Sequence, residues 1–130
     1  MRVRALSAKV ARMGGTVLIV DDHAGFRAAA RALLEAAGFD VVGEAVDGTS
    51  ALVEAERLRP EIVLIDVQLP DLDGFAVAER LRGTATTPAI VLTSSRSVAS
   101  FRWRLTEHPG WSFIPKSKLS GEALAAAARL

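Results

Sequence analysis

The sequence predicts an α/β fold in which helices cover both faces of a parallel sheet. Five short apolar segments alternate along the chain with five segments of helical periodicity. The most apolar of these short segments are rich in leucine and β-branched residues, which is typical of strands buried on both faces. Strands that alternate with helices pair in parallel, because each helix carries the chain back across the sheet.

The predicted elements follow one another without long gaps. Strands are expected at residues 16–20, 40–46, 62–65, 89–92 and 111–114. Helices are expected at residues 23–37, 48–59, 73–82, 97–107 and 119–130. This pattern fits a flavodoxin-like (βα)5 arrangement, a doubly wound parallel sheet with strand order 2-1-3-4-5, and that order puts the most apolar strands in the centre.

Length and composition restrict the class of protein. The 130 residues suit one domain, and half of them are hydrophobic, which is sufficient for a core. The chain has no cysteine, which excludes a disulfide scaffold and a cysteine zinc site, and it has no apolar run long enough for a membrane span. Its net charge of +1 argues against a dedicated nucleic-acid binder. We therefore expect a cytoplasmic domain that does not enter a membrane.

The start of the chain differs in charge from the remainder. The first twelve residues contain four basic side chains and no acid. We predict a basic leader over residues 1–15, disordered or weakly helical, and a folded domain over residues 16–130. A functional arm is the alternative interpretation of the leader.

Polar side chains follow the predicted strands at the points where these strands end. Asp21 and Asp22 follow strand 1, and Asp66 follows strand 3. Thr93 follows strand 4, and Lys116 comes soon after strand 5. Because ligands of open parallel sheets bind beyond the carboxyl ends of the strands, we expect these five residues to meet at one edge.

Three carboxylates at one edge require positive charge nearby, because like charges disfavour one another's ionisation. Lys116 supplies one charge, and a hard cation such as Mg²⁺, which binds oxygen ligands, would supply two. Such a site has the parts for phosphoryl transfer to a carboxylate, with Asp66 as the nucleophile and Thr93 as a hydrogen-bond donor to the phosphoryl group. The sequence has no glycine-rich phosphate loop, so a nucleotide is not the expected donor.

Four segments together resemble the motifs of one known family. They are residues 17–23 (VLIVDDH), 65–74 (IDVQLPDLDG), 91–94 (VLTS) and 113–116 (FIPK). In this order they are similar to a response-regulator receiver domain, and the similarity covers nearly the whole chain from Thr16 onwards. The resemblance implies a phosphoryl donor that is a phosphohistidine on a sensor histidine kinase or a phosphotransfer protein.

The same resemblance implies a role for each acid. Asp21 and Asp22 match the acid pair of the family, with Asp22 as the more direct Mg²⁺ ligand. Asp66 matches the phosphoacceptor, which is also a metal ligand. The backbone carbonyl of Gln68 would complete the protein ligands of the metal.

Three further positions match residues that respond to the phosphoryl group. Thr93 corresponds to the switch hydroxyl, Phe113 to the switch aromatic and Lys116 to the lysine of the family pattern. Lys116 is followed by Ser117, where many receivers have proline. This departure leaves the catalytic groups in place.

The output of such a domain is expected on the face formed by helix 4, strand 5 and helix 5. That face would include Arg96, Phe101, Arg102, Trp103, Arg104 and Trp111. Arginine and aromatic residues are common at the centres of protein interfaces, so a homodimer through this face is one expected output. Packing of Phe101 and one tryptophan on the sheet is the alternative. We expect no DNA-binding domain in this chain and favour a single-domain regulator over a fragment.

Two other functions compete with a phosphorylatable receiver. A pseudo-receiver, acting as an interaction module without phosphorylation, would have lost an acid or the lysine, and none is lost. A phosphatase with an aspartate nucleophile would carry a D-x-D motif after the first strand, whereas residue 68 is glutamine and the acceptor follows strand 3. We interpret His23 as a helix-start residue and His108 as a loop residue, and we assign neither to a metal.

Overall fold

The predicted parallel sheet is present. A computed structural model describes residues 14–84 and 87–128. Its strands are β1 Thr16–Val20, β2 Asp40–Ala45, β3 Ile62–Asp66, β4 Ala89–Ser94 and β5 Ser112–Pro115. All neighbouring strands pair in parallel in the order β2-β1-β3-β4-β5. The predicted fold class is therefore confirmed.

Five α-helices connect or follow these strands. They are α1 Ala24–Ala36, α2 Gly48–Leu58, α3 Gly74–Leu81, α4 Arg102–Thr106 and α5 Gly121–Ala128. Short 3₁₀ segments at Val98–Ser100 and Lys116–Lys118 precede α4 and α5. The predicted leader falls mainly on residues 1–13, which lie outside the described residues, as do the last two residues of the predicted final helix. None of the described helices is long and apolar enough to cross a membrane.

The segment predicted as one helix over residues 97–107 is not continuous. It is a 3₁₀ turn followed by the five-residue α4, and the two meet at Phe101, whose φ of −125° lies outside the helical range. Ser97 precedes the turn without a side-chain capping bond, and Val98 is β-branched, so the local propensity for a regular helix is low. Phe101 is buried at the break and packs against Phe113.

Turn and cap residues mark the ends of several helices. Asp47 forms a capping box with Ser50 at the start of α2. Asp73 accepts a hydrogen bond from the backbone N–H of Ala76 and caps α3. Gly38 follows α1 with a φ of 98°, a conformation that favours glycine. These local signals explain why most element boundaries lie within a residue or two of the predicted ones.

The sheet separates two cores, and β3 contributes to both. Val63 and Ile65 face the core beneath α2 and α3, whereas Ile62 and Leu64 face the core beneath α1 and α5. All four side chains are fully buried. A strand buried on both faces needs apolar residues at every position, so Asp66 at its end stands out as a polar residue held in place by a rigid element.

Gly74 must remain glycine where α3 passes the end of β3. A Cβ atom at residue 74 would overlap the carbonyl oxygen of Asp66. We expect Gly74→Ala to lower the free energy of unfolding by about 1–3 kcal/mol, the usual cost of overpacking, as measured by urea denaturation. Gly25→Ala is the matched control, because nothing lies within 4 Å of its added methyl group. An equal loss in both variants would contradict the prediction.

Candidate functional site

Lys116 joins two buried carboxylates at the carboxyl edge of the sheet. Its Nζ atom lies 2.7 Å from Oδ2 of Asp21 and 3.0 Å from Oδ2 of Asp66. The Asp21 side chain is completely buried, that of Asp66 is 5% exposed and that of Lys116 is 14% exposed. The expected meeting of strand-end residues is therefore observed for these three charges.

Strand pairing positions these groups. Asp66 stands opposite Thr93 in the β3–β4 register, and the backbone N–H of Val67 donates to the Thr93 carbonyl at 2.9 Å. The backbone N–H of Asp21 donates to the Ala45 carbonyl at 3.0 Å, which extends the pairing of β1 with β2. Backbone bonds thus hold Asp21 and Asp66 at the ends of adjacent strands, where their carboxylates lie close enough to share one cation.

Burial and charge shift the pKa values of the three groups in different directions. Burial raises the pKa of Asp66 above its usual value, and the charge of Asp21 adds to this, although bonds from Gln68 and Lys116 oppose it. Burial also acts to raise the pKa of Asp21, but the bonds from Lys116 and His23 outweigh it, and the net pKa is lowered. The pKa of Lys116 is raised, because its two carboxylate partners outweigh desolvation. The lysine therefore stays charged while Asp66 is the more easily protonated acid.

The ammonium of Lys116 also contacts an aromatic ring. Its Nζ atom lies 4.5 Å from the centroid of Phe26, on α1. A cation near the face of a ring is attracted by the ring's quadrupole, and this contact gives the ammonium a third favourable neighbour where water is largely excluded. Phe26 thus supports the position of Lys116 in addition to packing against the core.

Asp22 and His23 extend the site toward solvent. The Nδ1 atom of His23 lies 2.9 Å from Oδ1 of Asp21 and 3.2 Å from Oδ1 of Asp22. The backbone N–H of His23 also donates to Oδ1 of Asp21 at 2.8 Å. His23 precedes α1 as predicted, but its ring also lies against both acids, a contact that was not predicted from the sequence.

The donor atoms at this edge suit a metal ion. Carboxylate oxygens of Asp21, Asp22 and Asp66 and a ring nitrogen of His23 lie within 4.8 Å of one another. Oδ2 of Asp21 is buried, and besides its ion pair with Lys116 it accepts no hydrogen bond among the described residues. Three anionic oxygens around one point match the ligand preference of Mg²⁺. The residues present therefore fit the predicted cation.

Three further positions were predicted as a metal ligand or as switch residues. The backbone N–H of Gln68 donates to Oδ1 of Asp66 at 2.9 Å. The Thr93 hydroxyl is buried and donates to the Ile114 carbonyl on β5 at 2.6 Å, so its hydrogen is not directed to Asp66. Phe113 is half-buried in the core beneath α2 and α3. The metal role of the Gln68 carbonyl and the switch roles of Thr93 and Phe113 stay predictions.

The acidic loop after β3 stabilises two helices. Asp71 accepts hydrogen bonds from the backbone N–H groups of Gly48 and Thr49 and from the Thr49 hydroxyl, at the start of α2. The Thr49 hydroxyl and the backbone bonds hold the pKa of Asp71 well below its usual range. Asp73 caps α3. Both acids are thus committed to helix ends.

The predicted output face is partly buried and partly exposed. The Arg104 guanidinium pairs with Oδ2 of Asp73 at 3.0 Å and lies 4.1 Å from the Phe75 ring centroid. Trp111 stacks on His108 with 3.8 Å between ring centroids. Trp103, in contrast, is 64% exposed. The alternative of packing on the sheet therefore applies to Phe101 and Trp111, and Trp103 is the exposed aromatic residue of this face.

Comparison with known proteins identifies the family. The response regulator receiver domain family matches residues 17–129. The chain belongs to this family. This receiver domain is 38% identical over 108 residues to a protein-glutamate methylesterase/protein-glutamine glutaminase of Anaeromyxobacter dehalogenans, and 40% identical over 114 residues to a gliding motility regulatory protein of Myxococcus xanthus. These matches cover 82% and 85% of the chain.

A solved structure supports the same assignment. The signal receiver domain of NarL from Mycobacterium tuberculosis superposes with a TM-score of 0.78 at 26% identity, covering 88% of this chain and 96% of that one. The receiver domain spans only 31% and 14% of the lengths of the two curated relatives named above. The shared part is therefore a signalling module that recurs in longer proteins of two-component systems.

Proposed function

We propose that this receiver domain accepts a phosphoryl group on Asp66 from a sensor histidine kinase or a phosphotransfer protein, with Mg²⁺ bound. The observation that carries the proposal is the bridge from Lys116 to Asp21 and Asp66, at 2.7 and 3.0 Å. A bond would form between a carboxylate oxygen of Asp66 and phosphorus. The bond from phosphorus to the donor's histidine nitrogen would break, and that nitrogen would keep the electron pair.

The residues around Asp66 suit this transfer. Oδ1 of Asp66 accepts a hydrogen bond from Gln68, and Oδ2 pairs with Lys116, so the carboxylate is held in a fixed orientation. Lys116 is positioned to bind a phosphoryl oxygen once it exchanges one carboxylate partner for it. Fixed charges in a site with little water stabilise developing negative charge more strongly than they would in solution.

Asp21, Asp22 and Asp66 would hold the magnesium ion, together with the backbone carbonyl of Gln68. When bound, the ion offsets the charge of the acids and of the transferred group. Asp21 is fixed by His23 and Lys116, whereas Asp22 is the more exposed acid. This difference supports Asp22 as the acid that is free to reorient toward the ion.

Thr93 connects the proposed chemistry to the output face. Its hydroxyl now donates to the carbonyl of Ile114 on β5. To donate to a phosphoryl group on Asp66, it would have to release that carbonyl. The neighbouring Phe113 contacts Phe101, at the break before α4, with 5.7 Å between ring centroids. A change at Thr93 would therefore reach the face formed by α4, β5 and α5, where a homodimer or another protein would bind.

We expect the intact mass to rise by one phosphoryl group when the protein is incubated with Mg²⁺ and acetyl phosphate. The gain should disappear in Asp66→Asn, which lacks the nucleophilic oxygen pair, and on addition of a chelator. Asp71→Asn is the matched control, because Asp71 lies in the same loop but caps α2. If the mass does not rise with any small donor or with a cognate kinase, a pseudo-receiver is favoured. The retained acids and lysine argue against that alternative.

A further inference from the structure

His23 stands where a further ligand of the metal site would stand. Its Nδ1 atom lies 2.9 and 3.2 Å from one oxygen of Asp21 and one of Asp22. Adjacent ligands of an octahedral ion with bonds of about 2.1 Å lie about 3.0 Å apart. The hydrogen-bond contact of the ring with Asp21 thus holds Nδ1 at about the spacing of such an edge, and a metal ion would replace the shared proton. The ring nitrogen, both acids and Asp66 also fall within 4.8 Å of one another, close to the about 4.2 Å that separates opposite ligands of such an ion.

The polar contacts of the ring are with the acids of the site and not with the helix. His23 precedes α1 but makes no side-chain capping hydrogen bond to the helix, so the start of the helix does not need its imidazole. The side chain is 66% exposed, so the second ring nitrogen can hydrogen-bond to water while Nδ1 faces the acids. The buried Asp21 is already fixed by the backbone N–H of His23, which keeps residue 23 at the site.

We propose that His23 is a specificity-determining ligand of the cation site, coordinating through Nδ1 and favouring first-row transition metals over Mg²⁺. The proposal rests on the proposed function, because it adds a ligand to the same cation. Imidazole nitrogen binds Mn²⁺, Co²⁺, Ni²⁺ and Zn²⁺ more favourably than it binds Mg²⁺, because Mg²⁺ prefers water and other oxygen ligands. With three carboxylates alone, the site would lack the metal–nitrogen bond that adds to this preference.

The test uses Co²⁺ and the full chain without a histidine tag. The protein contains two histidines, and His108, stacked on Trp111, serves as the internal control. Proton NMR of the Co²⁺ form should show strongly shifted imidazole ring C–H signals that His23→Ala removes and His108→Ala keeps. If Co²⁺ binds to the unmodified protein without such signals, the proposal is wrong. This measurement needs no variant, so it does not depend on how a variant folds.

Calorimetric titration supplies the second readout. We expect His23→Ala to weaken Co²⁺ binding by at least about tenfold, since even residues that only orient metal ligands are worth about 10- to 100-fold in affinity. Mg²⁺ affinity should stay within about twofold, because Mg²⁺ replaces a nitrogen ligand readily with water. Equal losses for both ions would show that His23 only positions the acids, and would overturn the proposal.

The two proposals fail in distinguishable ways. If acetyl phosphate and Mg²⁺ modify Asp66 but the Co²⁺ form lacks the imidazole signal, the phosphoryl acceptor stands and the role of His23 is rejected. If the imidazole signal is present but Asp66 is never modified, His23 is a metal ligand in a protein without the proposed phosphoryl transfer.

Discussion

Replacing Lys116 with methionine is expected to reduce the rate of phosphorylation of Asp66 by at least about 100-fold, the usual loss when one preorganised charge donor is removed. We also expect the free energy of unfolding at neutral pH to fall by about 3–5 kcal/mol, because the change leaves two buried carboxylates without their shared cation. Methionine keeps much of the length of the lysine side chain, so a large loss would reflect charge more than packing.

The loss in free energy of unfolding caused by Lys116→Met should be larger at neutral pH than in acid. Lys116 lowers the pKa values of both Asp21 and Asp66, so its removal raises both in the folded protein. A carboxyl group whose pKa is raised by folding contributes stability below its unfolded pKa, and this contribution is lost as the pH rises through the folded pKa. The difference from the unmodified protein should therefore be largest near neutral pH and shrink as the pH falls toward about 4.

Lys118→Met is the control for this prediction. Lys118 lies in the same 3₁₀ segment but is exposed, so we expect no measurable change in stability or in phosphorylation. Urea denaturation followed by tryptophan fluorescence at two pH values measures stability, and intact mass measures phosphorylation. Similar results for the two lysine variants would show that the buried ion bridge contributes little.

The fold could be predicted because its local signals agree with one another. β1, β3 and β4 are apolar at nearly every position, and Asp73 and Gly38 lie at helix ends, so each segment favours the structure it adopts. Helix α4 is the exception. Its extent is decided by Phe101, which is buried against rings from other parts of the chain, and such a tertiary contact leaves no periodic pattern in the local sequence.

The meeting of three charged residues at one sheet edge could be predicted, but the bonds within the site could not. A parallel sheet forces the residues after β1, β3 and β5 to one edge, which brings Asp21, Asp66 and Lys116 together. Side-chain rotation is not set by strand order. Nothing in the sequence shows that Thr93 donates to Ile114 or that His23 turns toward the acids. The only available signal for His23 was its position directly after Asp21 and Asp22.

Asp21→Asn is expected to separate the structural role of the acid pair from its metal role. Asp21 is completely buried and accepts bonds from His23 and Lys116, so we expect the free energy of unfolding to fall by about 2–3 kcal/mol at neutral pH, the worth of hydrogen bonds to a buried charge. Lys116 keeps Asp66 as a partner, which makes this loss smaller than that of Lys116→Met. Mg²⁺ affinity should fall as well.

The loss of stability in Asp21→Asn should also depend on pH, but through a carboxyl group whose pKa is lowered by folding. The folded protein lowers the pKa of Asp21, so this acid contributes stability above its unfolded pKa and loses it as the pH falls through the folded value. The asparagine variant lacks that contribution, and its deficit should shrink only in acid, below about pH 4. The pKa of Asp66 should also fall in this variant, because the charge of Asp21 raises it.

Asp22→Asn is the matched control for Asp21→Asn. The Asp22 side chain is 37% exposed and its described polar contact is with His23, so we expect Mg²⁺ affinity to fall while the free energy of unfolding changes little. Calorimetric titration with Mg²⁺ and urea denaturation test both variants. Equal destabilisation by the two substitutions would mean that burial does not distinguish these neighbouring acids. A loss of stability confined to Asp21→Asn would instead show that Asp21 anchors Lys116, while Asp22 is the acid available to the cation.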